Sequence, residues 1–220
     1  MNLNKMYEFF QPEKYNEKIH IVGCGSVGST VAENLARCGL RNFVLWDFDT
    51  VEEKNIVNQM FTIEHIGMKK TDALANIILK INDEASVETH EGWEKELMSG
   101  YIFLCVDSIE IRKQIVERHM KSPFVKAMFD FRTMLKGAQH YAADWNSLKH
   151  KNNFLKTMEF SHEEAVQATP TSACGEILGV ATTVRIISAY GVNNFINFLK
   201  DSQLKTMILA EAFDFETEHF

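Results

Sequence analysis

Three glycines, Gly23, Gly25 and Gly28, close an apolar run I-H-I-V at 19–22 in the spacing G-x-G-x-x-G. Between a strand and a helix this spacing makes an anion site: the first glycine turns the chain tightly, the second admits phosphate, and the third lets helix and strand pack. The helix start then offers free N–H groups and the positive end of its dipole. Asp47 falls at the end of the next apolar run, near the roughly 20-residue offset at which an acid accepts a ribose hydroxyl. Those features serve NAD and ATP equally. The sequel D-F-D-T-V-E-E-K-N-I-V-N-Q separates the two, because Asp49, Asn55 and Gln59 can position phosphate oxygens and Mg²⁺, which hydride transfer does not need. The plainer readings are a polar loop pair for Asn55 and Gln59 and a turn residue for Asp49.

The elements that must hold these groups follow from hydrophobic spacing. Residues 19–22 read as a strand, and Val27, Val31, Leu35 and Cys38 share one helix face that Gly39 ends. Residues 42–47 read as a strand buried on both faces, 69–82 as a helix, 85–90 as a strand, and 101–106 as a buried strand ending in Asp107. A helix over about 109–121 and a strand at 124–129 continue the alternation. Such alternation predicts an α/β fold, a Rossmann-like, doubly wound, mostly parallel sheet. Beyond Asp130, residues 131–144 read as two strands hinged near Gly137, 146–173 as a long loop, and 176–200 as a helix interrupted near Gly191. Residues 204–215 read as final edge strands ahead of an acidic tail, making a C-terminal antiparallel extension. The expected organisation is one domain over 1–220, with a nucleotide-binding core at 19–130 and an extension at 131–220.

Composition bounds the function classes. The 220 residues are 45% hydrophobic and 24% charged, as in ordinary globular chains. A net charge of -7 opposes non-specific binding to nucleic acid or anionic membrane, so neither is an expected partner. No apolar window approaches ~18 residues and no signal-like segment opens the chain, so a cytoplasmic location is expected. The cysteines at 24, 38, 105 and 174 form no C-x-x-C pair, so zinc is not expected.

The ordered set Asp47-x-Asp49-x-Val51-x-x-x-Asn55-x-x-x-Gln59, then Gly67-x-x-Lys70 and Asp107, resembles the ThiF/MoeB/HesA family of ubiquitin-activating-enzyme-like adenylyltransferases. The resemblance runs from about 19 to 112 and resumes at T-S-A-C-G-E-I-L-G-V, 171–180. It implies activation of a C-terminal carboxylate by attack on the α-phosphorus of ATP, releasing pyrophosphate. The resemblance further implies that the carboxylate would belong to a small ubiquitin-like or sulfur-carrier protein or peptide, and that the enzyme would be a homodimer. Carried across position by position, the resemblance implies that Gly25 would approach the phosphates, Asp47 the ribose and Asn55 a phosphate, that Lys70 would neutralise charge and that Asp107 would hold Mg²⁺. In sulfur-transfer members a cysteine matching Cys174 accepts the activated partner as a thiol. The plainer readings are a solvated lysine for Lys70, a helix cap for Asp107 and a small buried residue for Cys174.

Two departures bear on activity. Asn58 stands where the family commonly carries Arg, and residues 1–18 lack the Arg that many members bring across the dimer. Arg112, Arg41 and Arg37 are the candidate replacements. The alternative functions are a catalytically silent partner-binding subunit, adenylation of a small-molecule or RNA carboxylate, or an NAD-dependent oxidoreductase.

Overall fold

The computed structural model describes residues 1–160, 164 and 178–220. Eight strands form one mixed sheet: β1 Ile19–Val22, β2 Asn42–Trp46, β3 Ser86–His90, β4 Gly100–Leu104, β5 Val125–Thr133, β6 Gly137–Asp144, β7 Met207–Glu211 and β8 Glu216–His219. Their order is β3-β2-β1-β4-β5-β6-β7-β8. Strands β1 to β5 pair in parallel, and β6, β7 and β8 are added antiparallel. The expected α/β fold with a C-terminal antiparallel extension is therefore what forms.

Helices cover both faces, which is why β1, β2 and β4 are almost wholly apolar. On one face lie α1 Ser26–Arg37, α2 Lys70–Ile81 and α5 Ala181–Asp201. They bury Val31, Leu35, Leu74, Ile78, Ile187 and Phe195 against Ile21, Leu45 and Phe103. On the other face α3 Ile109–His119 and α4 Leu148–Lys156 bury Ile115, Val116 and Phe154 against Val44, Ile102 and Met128. Phe103 and Phe129 stack at 4.8 Å, and Phe195 meets each edge-on at 5.2 Å, locking α5 onto the middle of the sheet.

Several expectations are corrected. Within 146–173, read as a loop, Leu148–Lys156 is helical. Ser147 caps it by accepting the His150 N–H at 3.2 Å, and Phe154 alone among its residues is buried, so no apolar stripe marked it. The helix near Gly191 is not interrupted: α5 runs through it, because the Phe131 ring occupies the space a Cβ would take. The strand expected to stop at 129 continues to Thr133, since the wholly buried Asp130 within it is paired with Arg112 and Arg132. Part of the acidic tail is itself a strand, the fully exposed β8 paired to β7, and exposure on both faces erases the alternation that would have announced it. Among the described residues no helix is long and apolar enough to cross a membrane.

A candidate nucleotide site at the switch point

Strand β1 lies between β2 and β4, with α1 leaving to one face and α3 to the other. A crevice opens at such a reversal outside the carboxyl ends of the strands, and the glycine loop sits in it. Gly23 has φ 90°, and a Cβ there would come within 2.8 Å of the Cys105 carbonyl. A Cβ on Gly28 would fall onto the Gly23 carbonyl oxygen. Gly25 differs, because a Cβ there would meet nothing within 4 Å among the described residues. Two of the glycines serve packing, and the third faces open space just before α1, whose first turn has no side-chain cap and no acid. Uncapped N–H groups toward open space are what an incoming phosphate requires.

Asp47 ties this loop to the end of β2. Its carboxylate accepts the Cys24 N–H at 2.6 Å and the Asp49 N–H at 2.8 Å. Burial pushes the Asp47 carboxyl above the usual carboxylate range, while those two N–H groups and the nearby Lys70 pull it back.

Lys70 is not a solvated lysine: its Nζ lies 2.6 Å from Asp49 Oδ2, and its side chain is 9% exposed against 49% for Asp49. The motif spacing explains the meeting. After Asp49 the chain makes an excursion and returns antiparallel to itself, with Thr50 bridging Lys69, Val51 N–H donating to the Met68 carbonyl at 2.8 Å, and Gly67 N–H donating to the Val51 carbonyl at 2.9 Å. Gly67 turns the chain with φ 87°, and the Lys70 N–H then donates to the Asp49 carbonyl at 2.9 Å.

Inside that excursion Asn55 is 9% exposed and caps the short helix Glu53–Val57, its Oδ1 accepting the Glu52 N–H at 2.8 Å. Its carbonyl oxygen is thus engaged locally, and the amide NH₂ is the part left to meet a ligand. Gln59 Oε1 is buried with no hydrogen-bond donor among the described residues. An orphaned buried acceptor is costly, and a ligand donor would relieve it.

Asp107 is not the cap of α3. Ser108 does that, accepting the Ile111 N–H at 3.3 Å. Asp107 is exposed, with no hydrogen bond or ion pair among the described residues, and follows the 105–106 backbone that abuts Gly23. Among the described residues no three His, Cys, Asp or Glu side chains gather for a metal. A lone accessible carboxylate beside the glycine loop nevertheless fits Mg²⁺, which is commonly held by one or two carboxylates plus substrate phosphates.

The cations proposed to replace an arginine at Asn58 are engaged elsewhere. Arg112 is buried on Asp130 and the Val106 carbonyl, Arg41 pairs with Glu84 at 2.6 Å, and Arg37 pairs with Glu33. The residue that spacing missed is Arg185 on α5, exposed, with Nη2 3.9 Å from Met60 Sδ. It stands far along the chain from the motif set, and only packing of α5 beside α1 brings it there. The Cys24 thiol is raised well above its usual range, and those of Cys38 and Cys105 are pushed to about 11 and about 12, all by burial, so these thiols are inert packing groups. Cys174 lies outside the described residues.

Comparisons with known proteins bear on the family and the fold. A ubiquitin-like modifier-activating enzyme 5 of Drosophila mojavensis is 32% identical over 134 residues, 52% of this chain and 33% of that protein. The Drosophila virilis counterpart is 38% identical over 134 residues, 52% and 32%. This chain's match therefore spans about a third of these relatives' length. Among solved structures, E. coli MccB with ATP superposes with TM-score 0.71 at 17% identity over 93% of this chain and 63% of that one. SeMet PaaA gives 0.72 at 16%, again over 93% and 63%. Both likenesses speak to the fold. The ThiF family model matches residues 2–218, taking in the glycine loop, the Asp49–Lys70 return and α5 together, and the chain belongs to the ThiF family.

Proposed function

We propose that this protein binds ATP and adenylates a C-terminal carboxylate of a small ubiquitin-like or sulfur-carrier protein or peptide. The observation that carries the reading is the linked set Cys24 N–H, Asp47, Asp49 and Lys70 beside the open Gly25. The reading takes Asp47 as the acid that accepts a ribose hydroxyl and Lys70 as the ammonium that meets phosphate charge, and these contacts support it by holding both groups beside the glycine loop. The names of the relatives, a ubiquitin-like modifier-activating enzyme and MccB with ATP or with MccA, support the reaction class.

In this reading a carboxylate oxygen of the partner attacks the α-phosphorus. The new O–P bond forms as the bond to the bridging oxygen breaks, and pyrophosphate departs with that electron pair. A carboxylate already carries its charge and needs no base, so the work is positioning and charge neutralisation. Asp47 orients the ribose, the α1 turn after Gly25 receives phosphate oxygens, and Asn55 donates its NH₂. Lys70 exchanges part of its Asp49 contact for phosphate. Mg²⁺ at Asp107 supplies further neutralisation when bound. The acting form is a homodimer, as the family resemblance implies.

Pyrophosphate exchange into ATP with Mg²⁺ and glycine-ended carriers tests this. Exchange with a carrier supports it. Tight ATP binding with no exchange for any carboxylate partner would instead favour a silent partner-binding subunit, a reading that rests on Asn58 and on the lack of Arg in residues 1–18.

A further inference from the structure

We infer that Arg185 is a phosphate-binding residue of this site, an inference that rests on the ATP reading above. A triphosphate brings several negative charges, and the cations beside the glycine loop are few. Lys70 is held by Asp49, and Lys69 by Glu91 at 2.6 Å. The other arginines are committed: Arg37 to Glu33, Arg41 to Glu84, Arg112 and Arg132 to Asp130, and Arg118 to the Lys95 carbonyl at 3.4 Å.

Arg185 has no such tie among the described residues. The start of α5 lies at the same end of the sheet as the start of α1. Thr183 Oγ1 donates to the Leu135 carbonyl at 3.1 Å, in the turn after β5, whereas the far end of α5 receives the Tyr15 hydroxyl on the Leu199 carbonyl at 2.9 Å, ahead of β1. The Arg185 guanidinium rests on Met60 Sδ, and the Met60 N–H donates to Ser29 Oγ at 3.1 Å, in the opening turns of α1. One residue thus separates the guanidinium from the helix end that faces the phosphate space. A thioether is a weak acceptor, so the contact orients the guanidinium without satisfying its five donors. That fork matches phosphate oxygens two at a time.

Position 58 approaches the start of α5, the helix that carries Arg185, because a Cβ on Gly179, just before that helix, would lie 2.9 Å from Asn58 Nδ2. A cation installed there should stand in for Arg185.

The test is calorimetric binding of ATP and of adenosine to the wild type, Arg185→Ala, Arg185→Lys and the double variant Arg185→Ala/Asn58→Arg, with melting temperatures for each. Arg185→Ala should weaken ATP by about tenfold or more, leave adenosine within about twofold and melt as the wild type does. Arg185→Lys should fall between, keeping charge but losing the fork. Asn58→Arg should restore much of the ATP affinity lost by Arg185→Ala. ATP affinity within about twofold of wild type in Arg185→Ala overturns this inference while leaving the ATP reading intact. A folded wild type that binds no ATP overturns both.

Discussion

Lys70 Nζ lies 2.6 Å from Asp49 Oδ2, the buried end of one motif segment meeting the half-exposed end of another. The pair stands at the mouth of the glycine loop because Asp49 N–H also donates to Asp47. On the proposed ATP reading, removing either partner should act on charge at the phosphate site before it acts on the fold. Lys70→Ala should weaken ATP roughly tenfold, about 1.4 kcal/mol, and cost about 1 kcal/mol of stability, since Asp49 keeps much of its hydration. Asp49→Asn should shift ATP affinity the opposite way by freeing the ammonium. Titration calorimetry reads both, and equal loss in the two variants would contradict the assignment.

The glycines divide by what a Cβ would meet. Gly25→Ala should keep the melting temperature while obstructing phosphate and weakening ATP binding, because the added carbon points into open space. Gly28→Ala should destabilise the fold by about 3 kcal/mol, since its Cβ meets the Gly23 carbonyl. Chemical denaturation beside nucleotide binding separates the two effects.

Arg112 is a structural cation. Arg112→Ala leaves the wholly buried Asp130 carboxylate with Arg132 alone and should cost about 3–5 kcal/mol. Loss of ATP affinity without loss of stability in that variant would contradict this role.

Stability should fall in mild acid. The His140 Nε2 accepts from Asn194 at 3.1 Å and the Nδ1 side faces the Asp130 carbonyl at 3.1 Å, a neutral arrangement with no room for a second proton. Burial lowers His140 from 6.5 to about 3 and His20 to about 4. Below pH 6.5 the unfolded chain takes up protons that the folded chain refuses, so stability rises with pH across this window and is lost as pH falls. Each site should cost about 2 kcal/mol by pH 5. Equilibrium unfolding at pH 7, 6 and 5 measures the slope, and His140→Gln should flatten it whatever its effect on absolute stability.

Much of this was legible in the chain itself. The parallel core was readable because strands covered on both faces must be apolar and helices covered on one must be striped, as in Phe43–Trp46 and Val27–Leu35. α4 and β8 were not, because one buries little besides Phe154 and the other nothing. Gly191 misled because composition shows a missing side chain without showing the ring that fills its place.

The sequence by itself determined the order of the candidate groups along the chain: the glycine loop, Asp47, the Asp49 to Lys70 return and Asp107, each at the end or start of a short-range element. Their roles within the chain were decided by tertiary structure. Only packing showed that Ser108, not Asp107, caps α3, that Arg112 is committed to Asp130, and that α5 carries Arg185 to Met60. Spacing reports neighbours within a helix or strand, whereas charge partnership is settled by which surfaces burial brings together across the fold.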